Sequence, residues 1–349
     1  MQPLVSIIIT TYGGGECLKR AITSVLDQTY ENTEIIVVDD NNPDSVGRRN
    51  TVAVMHSFTD NPKVLYIQHD RNKNGAAARN TGIRAAKGKY ISFLDDDDYY
   101  LEDRIRVSTE ALEADEGIDG ICVGVLCCVA NEIVNVVSYE DGMELNWKHF
   151  FTNQNVIGSG SNIFVRANSV REIGGFDESF NRFQDVEFMI RFLLNDRIVC
   201  SRQIQVVKIA NIERLQKYKI VLRSFGFFDE KFQELIAQLN PDELYAYKND
   251  RYLYLYRLAI EGGNRDELLE AADRLSTIRE LRKKEKVETK YASITSVYWR
   301  IKTEVKSIFQ KHLSAIYRIK YTKKDEENRS KLEPSVLEEF DRKRKLYSD

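Results

Sequence analysis

Cysteine is scarce. Five occur in 349 residues, at positions 17, 122, 127, 128 and 200, and no two form a Cys-x-x-Cys pair. An odd number without that spacing excludes a disulfide framework and a zinc site, and implies buried thiols in a reducing cytosol. No apolar run reaches 18 residues, so no segment reads as a membrane span. The opening MQPLVSIIITTY has no basic stretch ahead of an apolar core and a cleavage site, so no export signal is expected. Net charge is only −3, which gives the whole molecule no claim on nucleic acid or another polyanion. Two phosphate-binding signatures are also missing. G-x-x-x-x-G-K-[ST] does not occur, and Gly13-Gly14-Gly15, although it follows an apolar run, is not G-x-G-x-x-G; it reads as a flexible loop. There is no low-complexity tract.

What is present is a series of short β-branched runs at 5–10, 34–38, 64–68 and 90–94. Each is almost wholly apolar, as strands buried on both faces are. Helical spacing separates them at 17–28 and 76–86, the second with a glycine cap expected at Gly88, and a polar loop is expected over 41–48. Further strands are expected at 120–129 and 132–138, and a helix over 183–194. The alternation predicts an α/β fold with a mainly parallel sheet flanked by helices. From about residue 217 the pattern becomes helical, over 230–239, 242–260, 266–281 and 294–321, with Pro241 and Gly262-Gly263 as breaks. Two domains follow: 1–215 and a helical 216–349.

Within 90–100, YISFLDDDDYY, an apolar run ends in four adjacent aspartates. If the strand continues, alternation puts Asp95 and Asp97 on one face and Asp96 and Asp98 on the other. Ligands of parallel sheets sit beyond the carboxyl ends of the strands. Asp39-Asp40 and Thr10-Thr11-Tyr12 reach the same edge. Paired carboxylates there call for a hard divalent cation, Mg²⁺ or Mn²⁺, together with a diphosphate. Asp98 instead reads as a cap for the helix that follows.

These residues resemble family 2 glycosyltransferases. The matching segments are VSIIITTY at 5–12, SVLDQTY at 24–30, EIIVVDD at 34–40, NGAAARNTGIRAAKGKYISFLDDDD at 74–98, GGFDESF at 174–180 and FQDVEFMIRFL at 183–193. The resemblance implies a GT-A fold, Rossmann-like, followed here by a mostly α-helical C-terminal domain. It implies a UDP-sugar donor, with Thr10 and Tyr12 lining the nucleotide pocket and Asp40 on the base. Asn74, Gly75 and Arg79 fall at the nucleotide edge, and Arg79 reads equally as a partner for the diphosphate or as a structural ion pair. Asp95 and Asp97 become the Asp-x-Asp pair, with Asp97 as the metal ligand for Mn²⁺ or Mg²⁺ and Asp96 near the ribose or diphosphate. Asp185 becomes the catalytic base of an inverting transfer to a glycan or lipid-linked acceptor, with Glu187 as the fallback. The family's setting is bacterial surface polysaccharide synthesis, in the cytoplasm or peripheral on the inner face of the plasma membrane.

Three departures stand out. Where the family shows Glu-Asp, this chain has Gln184-Asp185. After Tyr12 the family commonly has Asn, here replaced by three glycines. Its diphosphate-binding His or Arg after the last strand has only Arg214 as a counterpart. His56, His69 and His149 match nothing and read as structural or surface residues.

Residues 281–324 carry 13 Lys/Arg against 3 Glu. Apolar and aromatic residues from Ile294 to Tyr317 recur between those charges, as in an interfacial helix on an anionic membrane; a helix packed on its own domain or on a second subunit reads equally well. Two other functions stay open. A nucleotide-sugar-forming nucleotidyltransferase should show Arg and Lys in the loop after the first strand, which VSIIITTYGGGE lacks. A non-catalytic nucleotide-sugar binder should lack a base at Asp185.

Overall fold

In the computed structural model, residues 2–129, 132–153, 156–210, 217–299 and 324–347 are described. The apolar runs at 5–10, 34–38 and 90–94 are buried on both faces, whereas the run at 64–68 takes the edge of the sheet and stays partly exposed; all four form parallel neighbours. Val5–Thr11 (β1) is followed by Glu16–Leu26 (α1), Thr33–Asp39 (β2), Val46–Met55 (α2), Val64–Gln68 (β3), Gly75–Ala85 (α3) and Tyr90–Asp95 (β4). β1 pairs in parallel with β2 and β4, and β2 with β3. The register sets Thr11 beside Asp39 and Thr10 beside Asp95, so three strand ends deliver polar groups to one edge.

The second half of the sheet is mixed. Tyr99–Tyr100 (β5), Arg104–Ala114 (α4), Gly120–Val129 (β6), Glu132–Val137 (β7), Glu144–Leu145 (β8), His149–Thr152 (α5), Phe164–Arg166 (β9), Ala167–Glu172 (α6), Gln184–Phe192 (α7) and Ile198–Ile209 (β10) follow in order. The path across the sheet is β3-β2-β1-β4-β9-β6-β10-β5, with β7 on β6 and β8 on β10. β9 enters antiparallel between β4 and β6, while β6 and β10 are parallel. Ile7, Ile9, Ile22, Ile35, Val37, Leu94 and Val123 are buried in its main core. Four of the five cysteines are buried thiols.

Several expectations are corrected. The polar stretch expected as a loop to residue 48 turns into α2 at Val46, with Ser45 accepting from the Arg48 N–H as its cap. α3 ends at Ala85 and Ala86 is extended, so no glycine cap forms at Gly88. β10 had not been expected; its charges and glutamines interrupt the apolar pattern.

The chain divides into two compact units. The first contains Met1–Trp147, Asn155–Ala210 and Tyr321–Asp349; the second contains Lys148–Gln154 and Asn211–Lys320. This differs from a single cut near 215, because the chain returns to the sheet. Phe340, on the C-terminal helix Pro334–Leu346, is buried among Tyr99, Leu101, Leu126, Cys128, Ile133 and Val207. Asp325 accepts from the Ile133 N–H at 2.7 Å and Asn328 donates to the Ile133 carbonyl at 2.9 Å, so polar side chains close the outer edge of β7.

The second unit contains Tyr218–Lys231 (α8), Gln233–Ile236 (α9), Pro241–Gly262 (α10), Arg265–Ser276 (α11) and Lys283–Lys290 (α12). α10 starts at Asn240 with a capping box and Pro241 in its first turn, and ends on left-handed Gly263, as the sequence breaks imply. At its centre the Arg251 guanidinium lies 4.2–4.5 Å from the ring centres of Tyr247, Phe225 and Phe228 and pairs with Asp229 at 2.6 Å. The basic segment 281–324 is described only at 281–299 and 324; its remainder lies outside the described residues, as does Arg214.

Candidate active site

β4 stops at Asp95, and Asp98 N–H turns back to the Asp95 carbonyl at 3.1 Å. The strand alternation expected to pair Asp95 with Asp97 therefore does not operate, because the four acids round a tight turn. Each meets a different environment.

Asp95 accepts from Arg79 Nη2 at 2.7 Å. Arg79 also donates through Nη1 to Gln184 Oε1 at 2.9 Å, and its guanidinium lies 5.3 Å from the Phe176 ring centre. One side chain thus ties the end of β4 to the residue preceding Asp185. Asp96 accepts from the Thr11 hydroxyl. Burial, and then the charges of Asp97 and Asp95, push its pKa up to about 6, against the pull of the Thr11 bond. Asp97 is exposed on the turn, and Arg20 donates to its carbonyl.

Asp98 is not a helix cap; α4 starts only at Arg104. It is 1 % exposed and accepts from the Ser159 and Ser161 hydroxyls, each at 2.7 Å, and from the Ile209 N–H at 3.0 Å. Ser161 Oγ in turn accepts from the Asp95 N–H at 3.0 Å. Asp98 therefore pins the acidic turn to the 159–161 loop and to β10. Burial, and then Asp95 and Asp97, push its pKa up to about 7. A carboxyl whose native pKa is raised contributes most to stability at low pH, and that contribution is lost as pH rises from about 4 through about 7. Asp98→Asn removes the titration. In thermal unfolding, its stability relative to the parent should rise between pH 4 and pH 8 by on the order of 1–3 kcal/mol.

Asp185 lies in the first turn of α7, and Oδ1 accepts from the Val186 N–H at 3.0 Å. It is not the cap residue, a position taken by Phe183 in left-handed geometry. A Cβ built on Gly160 would stand 3.6 Å from Asp185 Cβ and 3.9 Å from both Asp185 Oδ2 and Arg79 Nη2, so these groups surround one small space. Glu187 is excluded as the alternative base. It is fully buried and paired with Arg191, which also donates to the Ile173 and Gly175 carbonyls and so holds the Gly174-Gly175 turn.

The remaining expected residues fall on the same edge. Asn74 caps α3, accepting from the Ala77 N–H at 3.1 Å and donating to the Glu178 carbonyl at 2.8 Å. Gly75 leaves room for Gln184 Oε1, which a Cβ would approach to 2.9 Å. Thr10 is half-buried and Tyr12 is 60 % exposed. Asp40, expected on a nucleotide base, is 3 % exposed and already accepts from His69 Nδ1 at 2.8 Å, Asn72 Nδ2 at 2.9 Å and the Lys73 N–H at 2.8 Å, so here it braces the 69–73 loop. His69 is buried and structural, as expected. Asp39 pairs with Arg48 at 2.9 Å and accepts from the Tyr66 hydroxyl at 2.6 Å.

The glycine loop expected to be flexible is anchored. Gly13 N–H donates to Asn41 Oδ1 at 3.0 Å, and Gly14, at φ 65°, lies so close to α2 that a Cβ would stand 2.4 Å from Thr51 Oγ1 and 2.7 Å from Thr51 N. Gly14→Ala should lower stability by about 2–3 kcal/mol, whereas Gly13→Ala meets no atom within 4 Å and adds backbone strain alone. Thermal unfolding of both variants checks the difference.

Does the site suit the expected cation? Among the described residues no three His, Cys, Asp or Glu form a ready-made cage. The donors are carboxylate oxygens, with Asp97 exposed and its charge raising the pKa of two neighbours. One or two carboxylates completed by substrate phosphates is how Mg²⁺ is usually held. The residues fit the group.

Sequence reasoning placed Thr11 at the edge without its bond to Asp96, and missed Ser159 and Ser161. The small polar run GSGSN at 158–162 carried the only signal, a set of hydroxyls with no apolar pattern of their own.

Residues 6–178 match the model of Glycosyl transferase family 2. An uncharacterized glycosyltransferase of Rickettsia felis is 28% identical over 310 residues, 88% of this chain and 50% of that protein, so the chain spans half the length of that relative. A UDP-Glc:alpha-D-GlcNAc-diphosphoundecaprenol beta-1,3-glucosyltransferase of Escherichia coli is 35% identical over 113 residues, 32% of this chain and 43% of its own. The crystal structure of S. aureus TarS in complex with UDP-GlcNAc superposes with a TM-score of 0.58 at 14% identity, covering 86% of this chain and 90% of that one; at that identity the likeness establishes the fold.

Proposed function

The chain carries a family 2 glycosyltransferase domain with the GT-A fold, and from that premise we propose that it transfers a sugar, with inversion, from a UDP-sugar to a hydroxyl of a glycan or lipid-linked acceptor. The observation that carries the reading is the Arg79 bridge. It joins Asp95, on the acidic turn, to Gln184, next to Asp185, an arrangement that supports a diphosphate side at Asp95 and a base at Asp185. The same bridge accounts for Gln at 184, since a neutral amide oxygen accepts from Arg79 while its Nε2 donates to the Phe180 carbonyl at 2.7 Å.

Asp97, beside Asp95, would hold Mg²⁺ or Mn²⁺, which when bound supplies Lewis-acid neutralisation of the charge on the leaving diphosphate. Thr10, Tyr12, Asn74, Gly75 and Asp96 line the donor side, and Asp40 holds the loop beneath them. Asp185 accepts the proton of the acceptor hydroxyl while that oxygen bonds to the anomeric carbon. The bond from that carbon to the diphosphate oxygen breaks in the same displacement, and its electron pair leaves with UDP. Arg79 keeps Asp95 and α7 in register throughout.

The test is a panel of radiolabelled UDP-sugars with Mn²⁺ or Mg²⁺. Turnover or hydrolysis of one or a few members above the blank is expected. No turnover with any member overturns the reading.

A further inference from the structure

Helices at a protein surface ordinarily turn their apolar residues inward. The stretch 283–299 does the reverse. Its buried positions are Glu285, Ala292 and Ser296, whereas Val287, Tyr291, Ile294, Val297 and Tyr298 are 49–69 % exposed. Its charges are sorted as well. Glu285 turns inward to pair with Arg279 at 2.8 Å, and Glu288, its side chain 15 % exposed, meets the Tyr256 hydroxyl at 3.2 Å. Lys283, Lys284, Lys286 and Lys290 all face solvent; Lys284 lies 3.7 Å from Glu288 and Lys286 lies 3.3 Å from the exposed Glu280, so the exposed charge around the apolar residues is mostly basic. A cavity of about 260 Å³ opens in the same surface, lined by the cations Arg265, which also pairs with Asp266 at 3.0 Å, and Lys290, and by Leu269, Tyr291, Ala292 and Ile294.

From this sorting we infer that 283–299, with Arg265, is a docking surface for an anionic phospholipid bilayer. Apolar and aromatic side chains enter the headgroup boundary while lysines meet the lipid phosphates. The cation-flanked cavity takes one phosphate headgroup against an apolar wall. A second copy of the chain suits the patch less well, because a two-fold contact sets the same surface against itself and brings lysines against lysines. The inference does not depend on the transferase reading, and its test involves no sugar donor.

The experiment is co-sedimentation of the full chain with vesicles of phosphatidylcholine, with and without phosphatidylglycerol, at low and high salt. Partitioning should favour the anionic vesicles and weaken with salt. Replacing Lys283, Lys284, Lys286 and Lys290 by Gln should lower it by roughly a hundredfold. Replacing Val287, Tyr291, Ile294 and Tyr298 by Ser should lower it by at least about tenfold, with circular dichroism confirming the parental fold. Equal binding to neutral and anionic vesicles, or parental binding by either variant, overturns the inference. So does light scattering that shows a parental dimer which the serine variant converts to a monomer.

Discussion

Asp185→Asn should reduce sugar transfer by roughly 10²–10⁴-fold and leave UDP affinity close to that of the parent. The substitution keeps the size of the side chain, and the amide oxygen can still accept from the Val186 N–H, so the start of α7 is preserved. What disappears is basicity at the one carboxylate of the 184–187 segment that shares a space with Arg79. Glu187 cannot take over, being buried against Arg191. Initial rates on the accepted donor, paired with calorimetric UDP binding, separate the two effects. Parental turnover would move the base elsewhere; loss of UDP binding together with turnover would show that Asp185 works on the donor.

Asp97→Ala should abolish the metal-dependent part of donor binding, a loss of roughly a hundredfold in UDP affinity in the presence of Mn²⁺. The fold should survive. Asp97 is exposed, and its charge helps to raise the pKa of both Asp96 and Asp98, so removing it relieves repulsion among acids that the turn crowds together. Calorimetry with Mn²⁺ and with a chelator gives the answer. In the parent, the chelator should lower affinity; in the variant it should change nothing. A variant whose UDP affinity still responds to Mn²⁺ as the parent's does would remove Asp97 from the metal site.

The parallel half of the sheet was legible because its signal is local: an apolar β-branched run has few alternatives to a buried strand, and β1, β2 and β4 fall where their runs lie. β10 was not legible, because Arg202, Gln203 and Gln205 break the pattern and its pairing with β6 is set across some eighty residues of chain. The edge that gathers Thr10, Asp40 and the four aspartates followed from strand ends. The roles along the turn did not, since strand alternation stops at Asp95. Asp98 shows why: its partners Ser159, Ser161 and Ile209 are remote in sequence, and only the fold makes a buried tie out of what reads as a solvated acid.

The return of Tyr321–Asp349 to the first unit also sets a timetable for synthesis. The helical unit has all its segments once residue 320 is made. The sheet, although begun first, lacks Phe340, and the outer edge of β7 lacks Asp325 and Asn328, until residues 325–340 emerge. For that interval the nascent chain exposes an unpaired strand edge beside an open apolar pocket, which is the part of the molecule a chaperone on the ribosome would have to shield.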